Sequence, residues 1–187
     1  PAGGGAWNFI SKQTASSSAT LSFTSGIDST YKEYLFTYNN IHPATDGTQL
    51  TVGFRDGSTA YDATKTSTMF ATYHQEDDGE SSGDRLAYQT SGDLAQGTGF
   101  QRLIQSVGND NDQCVSGEMY LFDPSSTVFV KHYISVCSST HDGDASQNFF
   151  VAGHCNVTAA IDGVQFKMSS GNIDAGDFCL YGLTTWQ

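Results

Sequence analysis

The sequence predicts an all-β chain folded as one antiparallel β-sandwich, jelly-roll-like, with about ten short strands. Three observations point there. Short stretches rich in Phe, Tyr, Val, Leu and Thr alternate apolar with polar residues, the period of a half-buried strand. Clusters of Gly, Asp, Asn and Pro separate these stretches at short intervals. No window of helix length carries an apolar stripe.

Along the chain, Gly3, Gly4 and Gly5 read as part of a flexible N-terminal arm over residues 1–6, followed by a single domain over 7–187. Residues 7–10 alternate as a strand, and a Ser/Thr-rich piece over 14–20 leads to a short strand at 21–23. Residues 34–38 (YLFTY) are strongly β-prone, and His42-Pro43-Ala44-Thr45-Asp46-Gly47 supplies turn chemistry after them. Pro43 presets a turn dihedral there, and Asp46-Gly47 tolerates the positive φ that closes it. Leu50, Val52 and Phe54 share one face of the next strand. Further strands are expected at 66–74, 100–107, 115–122, 128–137, 149–156, 164–168 and 178–183. The stretch 75–85 (QEDDGESSGDR) is acidic, has no apolar residue and reads as an exposed loop. By alternation, Phe36, Phe54, Phe122, Phe129, Phe150 and Phe166 are expected in the core, with Tyr61, Tyr73, Tyr88 and Trp186 outside.

Composition narrows the function. Charged residues make up 15% of the 187 residues, well below the roughly 25% of ordinary soluble domains. Hydroxyls, amides and turns take over solvation, as in β-rich extracellular or virion proteins. Eight Lys and Arg against 20 Asp and Glu give a net charge of −12, which repels phosphate. Nucleic acid and anionic membrane are therefore not expected as partners. No apolar run approaches the roughly 18 residues of a membrane helix. The start of the chain has neither a basic stretch nor an apolar run. It reads as free of a secretion signal, with Pro1 exposed by removal of an initiator Met.

Catalytic templates fail. His42, His74, His132, His141 and His154 form no metal-hydrolase pattern, and no G-x-S-x-G elbow is present. His154 and Cys155 are sequence neighbours, so on a strand they point to opposite faces. Glu33, Glu118 and Asp123 lie in or beside strands and are the carboxylates to weigh as a glycosidase pair. The expectation is nonetheless no enzyme, no catalytic residue and no cofactor. Ca²⁺ is the one ion worth weighing, with Asp110, Asp112, Asp77 and Asp78 as candidate oxygen ligands in acidic loops. These loops lack the spacing of a twelve-residue calcium loop, and solvated acidic loops are the default. Asn156-Val157-Thr158 matches a glycosylation acceptor, relevant only to a chain secreted by a eukaryote. Cys114, Cys137, Cys155 and Cys179 form no C-x-x-C pair. They read as buried, reduced thiols, with late disulfides as the alternative.

Several segments taken together carry a resemblance. They are 14–20 (TASSSAT), 23–31 (FTSGIDSTY), 34–47 (YLFTYNNIHPATDG), 168–176 (MSSGNIDAG) and 180–183 (LYGL). In order and spacing they resemble a family of small β-sandwich structural proteins of tailed phages, of marine and cyanobacterial type, either decoration or tail-associated. The resemblance spans nearly the whole chain. It implies a virion protein without enzymatic activity and transfers no catalytic residue. No fibre shaft is visible, and a Gly-rich arm before a sandwich suits docking onto a lattice. A capsid decoration (cement) protein on the outer head surface is therefore the first expectation, and a tail-fibre or tail-tip protein that binds host surface glycan the alternative. The expected partners are the major capsid protein and the chain itself, with trimers natural at threefold lattice positions. Pro1, Gly3, Gly4, Gly5 and Trp7 are the expected docking residues, since an extended arm can add a strand to a neighbouring sheet.

Overall fold

A computed structural model describes residues 6–77 and 85–184. It contains twelve strands: β1 (Trp7–Thr14), β2 (Leu21–Phe23), β3 (Glu33–Pro43), β4 (Leu50–Arg55), β5 (Lys65–Gln75), β6 (Arg85–Tyr88), β7 (Gln101–Arg102), β8 (Val115–Phe122), β9 (Lys131–His141), β10 (Ala145–Cys155), β11 (Gly163–Met168) and β12 (Ile173–Leu183). They form two antiparallel sheets. The larger runs β1-β12-β3-β8-β9-β10-β5-β6 and the smaller β2-β11-β4-β7. The chain passes repeatedly from one sheet to the other, from β1 to β2, β2 to β3, β3 to β4, β4 to β5, β6 to β7, β7 to β8, β10 to β11 and β11 to β12. Such wrapping is jelly-roll connectivity, here with a β8-β9-β10 meander widening the larger sheet.

The core lies between the sheets. Tyr34, Phe36 and Tyr38 from β3, Phe178 and Leu180 from β12, and Met119 and Leu121 from β8 face Leu50, Val52 and Phe54 from β4 and Val164, Phe166 and Met168 from β11. Phe166 joins the layers: its ring lies 5.8 Å from Phe36, 6.0 Å from Tyr38, 4.7 Å from Phe178 and 6.4 Å from Phe23. Tyr38 is wholly buried yet satisfied. Its hydroxyl sits 2.6 Å from Ser135 Oγ, which donates to the Glu118 carbonyl oxygen at 2.9 Å.

The structure corrects several sequence expectations. Residues 42–43 continue β3 instead of turning. A bulge absorbs the extra length at Asn40, whose φ is +52°, where the ladder to β8 jumps from Tyr38 to Ile41. Strand β7 is two residues long, because the rest of 100–107 folds as irregular chain. Strand β6 is not among the expected strands; it starts at Arg85, the last residue of the acidic stretch, just as β5 runs on to Gln75, its first. Residues 78–84 of that stretch lie outside the described residues, as does Trp186.

Phe129 is 72% exposed in the connection before β9, and Phe122 and Phe150 sit on the outer side of the larger sheet. In β8 and β10 both parities are apolar, so alternation alone does not decide which side faces in. Among the expected outside aromatics, Tyr88 is exposed, whereas Tyr61 and Tyr73 are half-buried.

Candidate functional site

The side of the larger sheet turned away from the core is covered by no other element among the described residues. Strand register assembles its side chains into rows across the sheet. One row is Phe9, Tyr181, Leu35, Tyr120, Ile134, Ala152 and Thr68, each directly opposite the next on the neighbouring strand. The next row toward the β1 start carries Trp7, Leu183, Glu33, Phe122, His132, His154 and Thr66. On the other side runs Lys12, Cys179, Thr37, Glu118, Val136, Phe150, Phe70 and Tyr88. Phe9 is 60% exposed, Ile134 46% and Phe70 40%.

This face is uneven. On its β1-β12-β3-β8 half the rings gather: Trp7 lies 6.0 Å from Tyr120 although two strands separate them, Tyr120 stacks over Phe122 at 6.3 Å, and Phe9 meets Tyr181 edge-on at 5.7 Å. Rings leaning over the sheet in this way leave Leu35 only 7% exposed. The β9-β10-β5 half carries a shallow depression. Thr66, Thr68 and Ala152 floor a depression of about 470 Å³, walled by Ile134 and by the imidazoles of His132 and His154, 5.7 Å apart. Beyond it Phe70 and Phe150 stack at 4.8 Å. Scattered exposed apolar residues are ordinary, but a contiguous apolar patch on a soluble chain marks an interaction site. Sequence reasoning found Trp7 and Tyr88 and missed the rest, because rows exist only once strand order is known.

Trp7, expected as a docking residue, opens β1 and belongs to this face. Pro1, Gly3, Gly4 and Gly5 lie outside the described residues. The chain joins the fold at Ala6, whose carbonyl accepts from the Thr184 amide at 3.2 Å.

The other candidates are placed apart. Glu33 and Glu118 share the outer face but lie two rows from each other, about 14 Å along the strands, too far for a pair acting across one glycosidic bond. Asp123 is tied to Lys32 at 2.8 Å. The Asp110 carbonyl accepts from the Gln113 amide at 2.9 Å, and its own amide donates to Gln113 Oε1. Asp112 edges a shallow depression with His42 and Cys114, and Asp77 follows β5. Asp78 is outside the described residues. Among the described residues no group of three or more His, Cys, Asp or Glu is placed to hold a metal ion.

All four thiols are free, but only Cys137 and Cys155 are buried; Cys114 and Cys179 are half-exposed, contrary to the expectation of four buried ones. Burial pushes the Cys137 thiol up to about 11 and the Cys155 thiol up to about 12, so neither is a thiolate at neutral pH. Cys155 faces inward between Lys65 and Lys131, its register partners on either side. Both ammonium groups are enclosed and donate to backbone carbonyls, Lys65 to Ala63 at 2.5 Å and Lys131 to Val157 at 2.8 Å. A cavity of about 180 Å³ near Gln105, Gln147 and Phe149 falls below the roughly 300 Å³ at which small-molecule sites begin.

No family model matches this chain, and no curated protein matches it.

Proposed function

We propose that the chain is a non-enzymatic structural protein of a phage particle, a decoration protein that binds the outer head surface and stabilises it. The observation that supports this reading is the outer face of the larger sheet, an apolar, ring-rich surface on a chain that otherwise solvates itself with acids, hydroxyls and amides. A protein that works by covering another needs such a surface and needs no reactive group. The rigid two-sheet frame beneath it suits a lattice that must bear pressure. The partners on this reading are the major capsid protein and further copies of the chain, and the resemblance to phage structural proteins is consistent with both. The test is to add the purified protein to expanded capsids lacking it. The reading expects saturable binding and a raised temperature of DNA release; absence of both rejects it.

A second reading, a tail-tip protein gripping host glycan, is favoured by one feature. Thr37, Asn39, Ser116, Glu118, Ser138 and Asn148 line an open depression of about 410 Å³ on the same face, beside Phe150. Hydroxyls, amides and a carboxylate next to an aromatic ring are groups that hold a sugar. Binding of host polysaccharide that Glu118→Gln and Asn148→Ala both weaken would favour this reading over the first.

A further inference from the structure

We infer that the outer face of the larger sheet pairs with the same face of a second copy, around a two-fold axis running parallel to the strands between β8 and β9. The inference rests on reading this face as a docking surface and names its occupant.

The larger sheet has eight strands, so such an axis exchanges its halves. It lays β12 over β5, β3 over β10 and β8 over β9, with Lys12 of β1 over Tyr88 of β6 and with Phe9 and Trp7 past the end of β6. The β1-β12-β3-β8 half of each copy then meets the β9-β10-β5-β6 half of the other. In the central row Tyr181 faces Thr68 of the second copy and Tyr120 faces its Ile134. In the row beyond, the order of sizes reverses. Cys179 faces Phe70, Thr37 faces Phe150, and Lys12 faces the ring of Tyr88. In the remaining row Glu33 faces His154. In that row Phe122 also faces His132, and in the row before it Glu118 faces Val136; the one carboxylate of the Glu33 row meets an imidazole. A two-fold contact demands that one patch fit itself.

Charge and area agree. Two copies each at −12 repel, so they can meet only where acids are scarce. The central row has no ionised group, and each row beside it has one carboxylate, Glu33 or Glu118. Seven inter-strand gaps of about 4.8 Å give a width of about 34 Å, and three rows with their side chains span about 20 Å. The product, about 700 Å² per copy, is close to the roughly 800 Å² per partner of a stable complex. The result is a two-fold pair rather than the three-fold ring that a lattice position suggests.

The test combines two measurements on the full chain. Sedimentation equilibrium should give twice the chain mass. Thr68→Arg and, separately, Ala152→Glu each put a charge into the depression from a position that points away from the core, and each should weaken pairing by about 100-fold or more. In parallel, Phe70→Cys should form a disulfide with Cys179 of the second copy on mild oxidation, seen as a linked peptide by mass spectrometry. Thr72→Cys, one row along and opposite Asp177, should not. A monomer, a trimer, a dimer that both charge variants leave intact, or equal cross-linking by the Phe70→Cys and Thr72→Cys proteins would overturn the inference. Capsid binding decides separately whether the protein sits on phage heads.

Discussion

The same substitution made at two phenylalanines should have opposite consequences. Alternation places Phe166 and Phe129 alike in the core; the fold separates them. Phe166 is fully buried and its ring contacts four others, three of them from the opposite sheet. Truncation to Ala removes buried apolar area and leaves a cavity between two rigid sheets that cannot close on it, a loss of about 3–5 kcal/mol. For a domain of this length each kcal/mol moves the midpoint by about 2–4 °C, so Phe166→Ala should melt roughly 6–20 °C below the parent. Phe129, mostly in solvent, should change stability by no more than about 0.5 kcal/mol. Thermal melts by circular dichroism, with urea titrations to convert midpoints to free energies, measure both. Equal losses, or a Phe166→Ala loss below about 1 kcal/mol, would refute the account of how the sheets are joined.

Three further outcomes follow from the same packing. Gly117→Ala should destabilise by about 1–3 kcal/mol in urea unfolding, since the new methyl falls against the Val136 carbonyl oxygen and 2.9 Å from Cys137 Cα, backbone that cannot yield. Tyr38→Phe should cost only about 1 kcal/mol, because Ser135 keeps its bond to the Glu118 carbonyl when the phenol is lost. Above pH 9 the protein should lose stability. The Cys155 thiol is raised from 9.0 to about 12 by burial, so the unfolded chain releases that proton first and stability drains away as pH rises from 9 towards 12. The burial-lowered pKa of Lys65 works in the opposite sense. Comparison with Cys155→Ala isolates the thiol: between pH 9 and 11 the parent's unfolding free energy should fall more steeply, by up to about 1.4 kcal/mol per pH unit.

The architecture was largely legible. Leu50, Val52 and Phe54 share the inner face their spacing indicates, and the Asp46-Gly47 turn closes with Gly47 at φ +64°. Legibility ended where both faces of a strand are apolar. In β8, Val115, Met119 and Leu121 point inward while Tyr120 and Phe122 point out, and nothing local distinguishes the two sets. It ended also where a bulge replaces a turn, as at Asn40. Of the outer face only Trp7 and Tyr88 were legible. Phe9 and Ile134 are 125 positions apart in sequence and share a row only because β12, β3 and β8 lie between their strands. Residue types announce chemistry when reactive groups cluster in a motif, but a surface made of rows is a property of strand order.

The proposed role of this chain is to cover a phage head. Imaging of purified particles labelled with an antibody fragment against the protein tests it most directly. A decoration protein gives label distributed over the head in a regular array. Label confined to the tail or its tip, or absent from the particles, would contradict it.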